Sequence, residues 1–268
     1  MLMWLIGALA CFLSVPAAAE SFAYGRDPAQ CLDLYRPAGK GAAPLLLFVH
    51  GGGWTAGSKA MMKPALPLHY ARLGYAVAAV NYRLVPATDV EGQLADLAGA
   101  LALLSQKARD LGLDRGHVVL IGHSSGAQLA AMLATDPRWL GSRFGSIGAV
   151  VLLDGAGVDV PGIMAAGADH SPFYAAAFGG DLARQRRLSP RDHAAAPNAP
   201  RWLMLYDVAH NKAAGYFARR FADALSAAGD TARVIGVSDT THMRLLENLG
   251  VDGDPATALV DRFLTERD

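Results

Sequence analysis

One serine stands in a setting that suits nucleophilic catalysis. Gly122-His123-Ser124-Ser125-Gly126 follows the apolar run 117–121 and precedes the small-residue helical stretch 127–135. Strand, sharp turn and helix in this order form the nucleophile elbow of the G-x-S-x-G motif, which lifts the serine hydroxyl above the sheet. The flanking glycines leave room where a Cβ would collide with a neighbouring element. The motif therefore predicts that Ser124 is the nucleophile of a serine hydrolase.

A second glycine-rich segment, earlier in the chain, offers the donors that such a nucleophile needs. The apolar run 45–49 leads into His50-Gly51-Gly52-Gly53-Trp54, whose three successive glycines leave the backbone amides unobstructed. Acyl transfer builds negative charge on the carbonyl oxygen, and preorganised N–H groups stabilise that charge. We expect the amides of Gly52, Gly53 and Ser125 to form this oxyanion hole.

A serine nucleophile also needs a base, and among the eight histidines His242 has the most suitable place. It follows the predicted strand 232–237 across the polar loop 238–241, and the order of serine before histidine is that of the hydrolases with this elbow. His50 and His123 flank glycine turns and are interpreted as residues that orient loops. The chain contains no H-x-x-x-H or C-x-x-C spacing, so we expect no metal site.

The elements that must position these groups alternate along the chain. Such alternation indicates one α/β domain over 20–268, with a mostly parallel central sheet and helices on both faces. Apolar runs predict strands and a 3.6-residue period predicts helices: strands at 31–35, 45–49, 75–81, 117–121, 147–153, 202–206 and 232–237, and helices at 64–73, 90–110, 127–135, 212–228 and from about 255.

Between about 155 and 200 this alternation stops. The segment is rich in Gly, Pro, Ala and aromatic residues and has no strong strand. An excursion from the carboxyl end of a parallel sheet lies over the crevice where ligands bind, so we expect a small lid there. Phe173, Tyr174 and Phe178 are candidates for lining the substrate pocket.

Composition favours one domain with a large core and argues against a nucleic-acid partner. The chain has 268 residues, no formal net charge at pH 7 and 52% hydrophobic residues, which suits one domain with a large core. Lysines and arginines are scattered except at 184–187, a patch that is typical of a solvated helix face.

The first 19 residues have the pattern of a cleaved secretory signal peptide. An apolar stretch is followed by Pro16 and the small-residue site Ala17-Ala18-Ala19, and the segment is too short for a stable membrane span. We therefore expect a secreted or periplasmic protein that begins at Glu20. Cleavage would leave Cys31 as the one remaining cysteine, so we expect no internal disulfide.

Taken together, these residues resemble the α/β-hydrolase superfamily, and more narrowly the HGGG-W carboxylesterases related to feruloyl-esterase-like and kynurenine-formamidase-like enzymes. The resemblance covers nearly all of 22–265 and rests on the segments 32–37, 50–54, 81–84, 122–126 and the loop of His242. It implies a Ser-His-acid triad, no cofactor, and a small-molecule acyl ester as substrate. Two alternatives stay open: an arylformamidase-type amidase with the same machinery, and a non-catalytic binding protein on a hydrolase scaffold.

The acid of the triad is the point at which the sequence departs from this resemblance. The family's aspartate usually follows the seventh strand, and His210 stands at that position. A carboxylate is needed because it must hold the imidazole tautomer and stabilise the imidazolium. Asp207, where that strand ends, is the preferred candidate, and Asp154, after the preceding strand, is the second. A site without a functional acid is the third possibility, and Asp239 is expected to cap its own loop.

Overall fold

An eight-stranded sheet forms the centre of the molecule. The computed structural model describes residues 19–39, 41–167, 171–195 and 197–266, so most of the predicted signal peptide lies outside the described residues. The strands are β1 (Glu20–Ala23), β2 (Cys31–Tyr35), β3 (Ala43–Val49), β4 (Ala76–Val80), β5 (Leu113–His123), β6 (Ile147–Leu153), β7 (Arg201–Asp207) and β8 (Thr231–Val237).

The sheet is parallel except at one edge. Its strand order is β1-β2-β4-β3-β5-β6-β7-β8, and β2 pairs antiparallel with both β1 and β4. All other neighbours are parallel. In the register of β5 with β6, His123 lies opposite Leu153, so the next residues, Ser124 and Asp154, leave the sheet side by side.

Helices connect the strands and cover both faces of the sheet. They are α1 (Ala65–Arg72), α2 (Val90–Gln106), α3 (Ala108–Leu111), α4 (Ser125–Thr135), α5 (Val160–Ala165), α6 (Pro172–Phe178), α7 (Leu182–Arg187), α8 (Pro190–His193), α9 (Lys212–Ala227), α10 (Arg244–Glu247) and α11 (Pro255–Thr265). The core on one face includes side chains of α2, α4 and α9, and the core on the other includes those of α1, α10 and α11. In the part of the chain that is described, no helix has the length and apolarity needed to cross a membrane.

The predicted elements are confirmed. The observed bounds differ from the predicted ones mainly where a strand contains polar or exposed residues. β2 and β6 have the predicted bounds. β5 begins at Leu113, before the predicted 117. Its residues 115–117 are exposed, so no continuous apolar run marks the start of this strand in the sequence. The four-residue strand β1 was not predicted from the sequence, since only its alternate residues are half-buried.

Helix α4 lies in the middle of the molecule. Every residue from Ser125 to Thr135 is buried, which the small side chains of this helix permit. The helix that follows the predicted nucleophile is therefore enclosed by the core on all sides, and packing fixes the turn at its start.

The segment between β6 and β7, predicted as a lid, contains the four short helices α5 to α8. Several side chains tie it to the rest of the domain, among them Arg184 and Gln128. Arg184 forms an ion pair with Glu91 of α2 (2.7 Å), and Gln128 of α4 donates a hydrogen bond to the Leu188 carbonyl (2.9 Å). These contacts hold the segment beside the carboxyl ends of the central strands.

Candidate active site

Ser124 occupies the turn between β5 and α4 in a strained conformation. Its φ of 54° and ψ of −121° are rare for a residue with a side chain. Three backbone hydrogen bonds hold it there: Ser124 N–H donates to Leu153 O, and Ser124 O accepts from the amides of Ala127 and Ala156, each at 3.0 Å. The strained turn that the G-x-S-x-G motif predicts is therefore present.

The two glycines of the motif allow the elbow to pack closely. A Cβ on Gly126 would collide with the carbonyl oxygens of Val49 and His50 at the end of β3, and a Cβ on Gly122 would collide with Gly126 itself. Any larger residue would push the elbow away from β3. The close approach brings Ser124 next to the glycine-rich segment that follows this strand.

That segment has a backbone conformation that favours glycine, since Gly53 as well as Gly52 has a positive φ. Gly52 has a φ of +124°, and a Cβ there would collide with the carbonyl oxygen of Ala56. Gly52, Gly53 and Ser125 line the same pocket as Ser124, as the oxyanion-hole prediction requires. Among the described residues, none accepts a hydrogen bond from the backbone amides of these three. They are therefore available as donors.

Both ends of the glycine-rich segment are fixed by buried side chains. At its start, the His50 ring stacks on Tyr82 with centroids 4.2 Å apart, and Tyr82 Oη donates to His50 O at 2.7 Å. At its end, Trp54 Nε1 donates to Gln128 Oε1 (3.0 Å), and Gln93 Nε2 donates to Trp54 O (2.7 Å). The donors are thus held in place before a substrate binds, which is the condition for electrostatic preorganisation.

His242 bonds to Asp154. The distance from His242 Nδ1 to Asp154 Oδ2 is 2.6 Å; the carboxylate is fully buried, whereas 41% of the His242 side chain is exposed. An ionised carboxylate only accepts hydrogen bonds, so Nδ1 carries the proton and Nε2 is left as the basic nitrogen. His242 and Ser124 line the same pocket.

Two further donors hold the Asp154 carboxylate. Asn211 Nδ2 lies 2.9 Å from Asp154 Oδ2, and the backbone amide of Asp207 lies 3.2 Å from Asp154 Oδ1. Asn211 is also the N-cap of α9, because its Oδ1 accepts from Ala214 N at 3.2 Å. The sequence analysis missed Asn211, although an Asn directly before a helical run is the signal of an N-cap.

The prediction that Asp207 orients His242 is wrong. Asp207 Oδ2 lies 2.8 Å from His210 Nδ1, and its Oδ1 accepts from the amides of Ala209 (2.9 Å) and His210 (3.1 Å). Burial acts to raise the pKa of Asp207, but these hydrogen bonds from His210 and Ala209 outweigh it and hold the pKa below its usual value. Asp207 turns its carboxylate into its own turn, as an Asx turn does, and only its backbone amide reaches Asp154.

His123, interpreted from the sequence as a residue that orients loops, contacts a loop that is distant in the chain. The loop is the one that carries the predicted base, because His123 Nε2 lies 2.8 Å from the backbone oxygen of His242. The two rings also pack against each other, with centroids 4.6 Å apart.

The pocket around Ser124 has a volume of about 350 Å³ and mostly apolar walls. Phe173 and Met243 lie at its exposed rim, with 51% and 41% of their surfaces accessible. Tyr174 lines the pocket as predicted, whereas Phe178 is buried behind Trp54, with ring centroids 4.8 Å apart. None of the described residues that line the pocket is Asp, Glu, Lys or Arg, so its walls suit uncharged groups.

Sequence relatives of this chain include esterases. Residues 32–140, which contain the glycine-rich segment and the elbow, match the BD-FAE family model. Esterase LipC of Mycobacterium tuberculosis is 33% identical over 121 residues, which are 43% of this chain and 30% of LipC. Isoprenylcysteine alpha-carbonyl methylesterase ICME of Arabidopsis thaliana is 32% identical over 113 residues, 42% of this chain and 26% of that protein. The match thus spans less than a third of the length of these relatives.

A solved structure extends the likeness to the whole domain. Thermogutta terrifontis esterase 2 phosphonylated by sarin superposes with a TM-score of 0.76 at 22% identity, covering 92% of this chain and 94% of that one. The two proteins therefore share the fold, including the part beyond residue 140 that the family model leaves unmatched. Residues 32–140 are therefore similar to the BD-FAE family and to esterases, and the domain as a whole has the fold of Thermogutta terrifontis esterase 2.

Proposed function

We propose that this protein is a carboxylesterase that hydrolyses small or medium, uncharged acyl esters through an acyl-enzyme. The observation that carries the proposal is the 2.6 Å bond between His242 and the buried Asp154, at the same pocket as the strained Ser124. A decayed binding scaffold would have no reason to keep a buried acid in contact with a histidine at a nucleophile elbow.

The reaction begins with the serine. Ser124 Oγ attacks the ester carbonyl while His242 Nε2 takes the hydroxyl proton, and the amides of Gly52, Gly53 and Ser125 stabilise the oxyanion. When the tetrahedral intermediate collapses, the C–O bond to the alcohol breaks and His242 gives its proton to the leaving alkoxide. A water molecule, deprotonated by His242, then attacks the acyl-enzyme. The bond from the acyl carbon to Ser124 Oγ breaks, His242 returns the proton to Oγ, and the acid leaves.

Asp154 has the supporting role in this scheme. Its carboxylate keeps the proton of His242 on Nδ1 and stabilises the positive charge that forms on the ring in each transition state. We assign this role to Asp154 instead of Asp207 because the carboxylate of Asp207 bonds His210 and not His242.

The proposed size and charge of the substrate follow from the pocket. A volume of about 350 Å³ accommodates a short acyl group together with a small alcohol, and each buried methylene contributes about 0.8 kcal/mol. The names of LipC and of the Thermogutta terrifontis structure, both esterases, support an ester over a formamide as the substrate.

We also propose that the protein is exported and begins at Glu20 after cleavage of the signal peptide. The pattern of residues 1–19 supports this, and so does the start of β1 at Glu20, directly after the predicted cleavage site. Cleavage there would leave every strand of the sheet intact.

Covalent labelling tests the proposed activity. The wild-type protein should react with a fluorophosphonate probe, and the matched variant Ser124→Ala should not, although it should melt at the same temperature. In parallel, turnover of p-nitrophenyl esters of increasing chain length should exceed turnover of aryl formamides. An unlabelled wild type would favour a binding protein, and Ser124→Ala activity within about tenfold of wild type would place the active site elsewhere.

A further inference from the structure

The segment 238–243, between β8 and α10, carries His242 and makes few long-range hydrogen bonds. Asp239 in this segment has a positive φ of 56°. Among the hydrogen bonds between described residues, two join the segment to distant parts of the fold. One is the side-chain bond from His242 to Asp154, and the other joins the His242 backbone oxygen to His123. The second bond holds the backbone of the base, which the acid does not touch.

The surroundings of His123 define its tautomer. A carbonyl oxygen only accepts, so His123 Nε2, 2.8 Å from His242 O, must carry the proton. Nδ1 is then the unprotonated nitrogen, and it is buried without a hydrogen-bond partner. Burial is the main reason that the pKa of His123 is lowered to about 4, and the nearby His242 ring contributes less. The His123 ring is therefore neutral at neutral pH. A neutral Nε2–H donor next to the nucleophile has one acceptor, and that acceptor belongs to the base.

We propose that His123 is a positioning residue that sets the distance between His242 and Ser124. His123 is the last residue of β5 and Ser124 is the next one, so the bond from His123 joins the loop of the base directly to the strand of the nucleophile. Asp154 orients the ring of His242, and His123 fixes the backbone from which this ring extends. The inference rests on the proposed function, because the distance that His123 sets is the one across which His242 would take the proton of Ser124.

Loss of this bond should affect the chemical step more than substrate binding. Without it, the 238–243 segment keeps one long-range hydrogen bond, and a misplacement of about 1 Å can lower a rate about 100-fold. His123→Phe keeps a ring against His242 but removes the donor. We expect kcat for p-nitrophenyl butyrate to fall about 10- to 100-fold with KM unchanged within about twofold.

A conservative variant separates positioning from packing. In His123→Gln, the side-chain amide can place an N–H close to the position of the imidazole Nε2, so kcat should recover to within about threefold of wild type. His69→Phe is the matched control, since it removes another buried imidazole, bonded to Asp261 at 2.9 Å on α11. It should leave kcat unchanged even if it lowers the melting temperature.

Two spectroscopic measurements complete the test. Nitrogen-15 NMR of the wild type should show His123 protonated on Nε2 and bare on Nδ1. The low-field proton resonance of His242 Nδ1–H should weaken or shift in His123→Phe and return in His123→Gln. Protonation of His123 on Nδ1 would overturn the inference, and so would equal kcat losses in both variants or a kcat of His123→Phe within about twofold of wild type.

These readouts also separate the two proposals. If the wild type is labelled by the probe but His123→Phe matches its kcat, the inference fails and the esterase proposal stands. If the wild type neither reacts nor turns over esters, the proposed function fails, and the tautomer and the His242 resonance still decide whether His123 holds the loop. If His123→Phe does not fold, the wild-type tautomer and the activity of His123→Gln give the answer.

Discussion

Two buried aspartates follow or end neighbouring strands, and the direction of each carboxylate decides its role. Asp154 has a φ of +46° and points its carboxylate to His242, Asn211 and the amide of Asp207. Asp207 is the last residue of β7 and binds the turn that follows it. Its turn places Asn211 and its own amide on Asp154, so Asp207 supports the acid without touching the base.

This arrangement predicts a ranking of two substitutions. Asp154→Asn should lower kcat by up to about four powers of ten, because an amide can present a donor to the ring and cannot stabilise an imidazolium. Asp207→Asn should lower the melting temperature and reduce kcat much less, since it disturbs only the turn that supports Asp154. Both are measured by p-nitrophenyl butyrate turnover together with thermal unfolding. The reverse ranking of kcat would return the role of acid to Asp207.

The sequence predicts the residues of this site unevenly, and the reason is local structure. Ser124 and the glycines stand in short motifs, and His242 follows a strand that the sequence predicts, so residues predicted from the sequence line one pocket in the structure. The acid could not be predicted, because both aspartates stand at the ends of apolar strands, and the direction of each carboxylate depends on local backbone conformation, such as the positive φ of Asp154, that the sequence does not show. Asn211 was not predicted, because the sequence shows only its function as a helix cap, which its side-chain oxygen performs. Its side-chain nitrogen also donates to Asp154, a contact that only the structure shows.

At the scale of elements, α6 controls the mouth of the pocket. Phe173, at the start of this helix, lies over Gly53, where an added Cβ would come within 2.8 Å of the phenyl ring. Tyr174 fixes the helix from the other side, since its hydroxyl accepts a hydrogen bond from the amide of Gly157 at 3.1 Å. A ring over one predicted oxyanion donor restricts the space for the substrate beside Ser124.

Removal of the Phe173 ring should therefore change the preference for the length of the substrate's acyl chain. In Phe173→Ala, each further methylene that the opened mouth buries should raise kcat/KM by up to about fourfold, the equivalent of about 0.8 kcal/mol. The ratio of kcat/KM for p-nitrophenyl octanoate to that for the butyrate should rise. Leu182→Ala is the control, because Leu182 is equally exposed (50%) on the neighbouring α7 and does not line the pocket. An unchanged ratio in Phe173→Ala, or the same rise in Leu182→Ala, would contradict a role of α6 in chain-length selection.

The elements themselves were largely predictable, with exceptions that have physical causes. Long apolar runs such as β6 are buried on both faces of the sheet, and such runs are typical of the central strands of a parallel sheet. The predicted helix 90–110 divides at Lys107 into α2 and α3, although its apolar period continues across the break. The short helices α5 to α8 have six, seven, six and four residues, too few for a helical period to appear in the sequence.

At the scale of the whole molecule, two buried histidines make stability depend on pH. His50 and His123 are both 1% exposed, and burial lowers the pKa of each to about 4. An unfolded chain protonates histidine near pH 6.5, so between pH 6.5 and 4 the unfolded state binds protons that the folded state does not. The folded state therefore keeps its full stability above pH 6.5, and the free energy of unfolding decreases as the pH falls from 6.5 to 4.

Urea unfolding at pH 7, 6 and 5 measures this effect. Each of the two histidines should lower the free energy of unfolding by about 1.4 kcal/mol per pH unit below 6.5. His123→Gln removes one of the two groups, so about half of this slope should disappear. Carboxylates with lowered pKa, such as Asp96 and Asp136, act only below about pH 4 and do not contribute in this range. A slope that is the same in His123→Gln as in the wild type would contradict the assignment.

Export with cleavage after Ala19 is a second prediction at this scale. Glu20 begins β1 and accepts a hydrogen bond from Arg36 Nε at 2.8 Å, so a chain cut after Ala19 keeps this contact at its first residue. Mass spectrometry of the protein recovered from the culture medium or periplasm should give an N-terminus at Glu20. An intact Met1 would refute cleavage at this site, and so would a lipid on Cys11, the cysteine within the predicted signal peptide.

The register of β5 with β6 has a consequence for motion. Because His123 lies opposite Leu153, the nucleophile and the acid follow paired positions of adjacent strands, and Ser124 N–H bonds Leu153 O across the pair. Sheet hydrogen bonds therefore hold Ser124 and Asp154 in one rigid frame, and a one-residue slip of either strand would turn its residue to the opposite face. His242 is the member of the proposed triad outside this frame. We therefore expect that heating displaces the loop of His242 first, so that the proposed esterase activity is lost before the sheet unfolds.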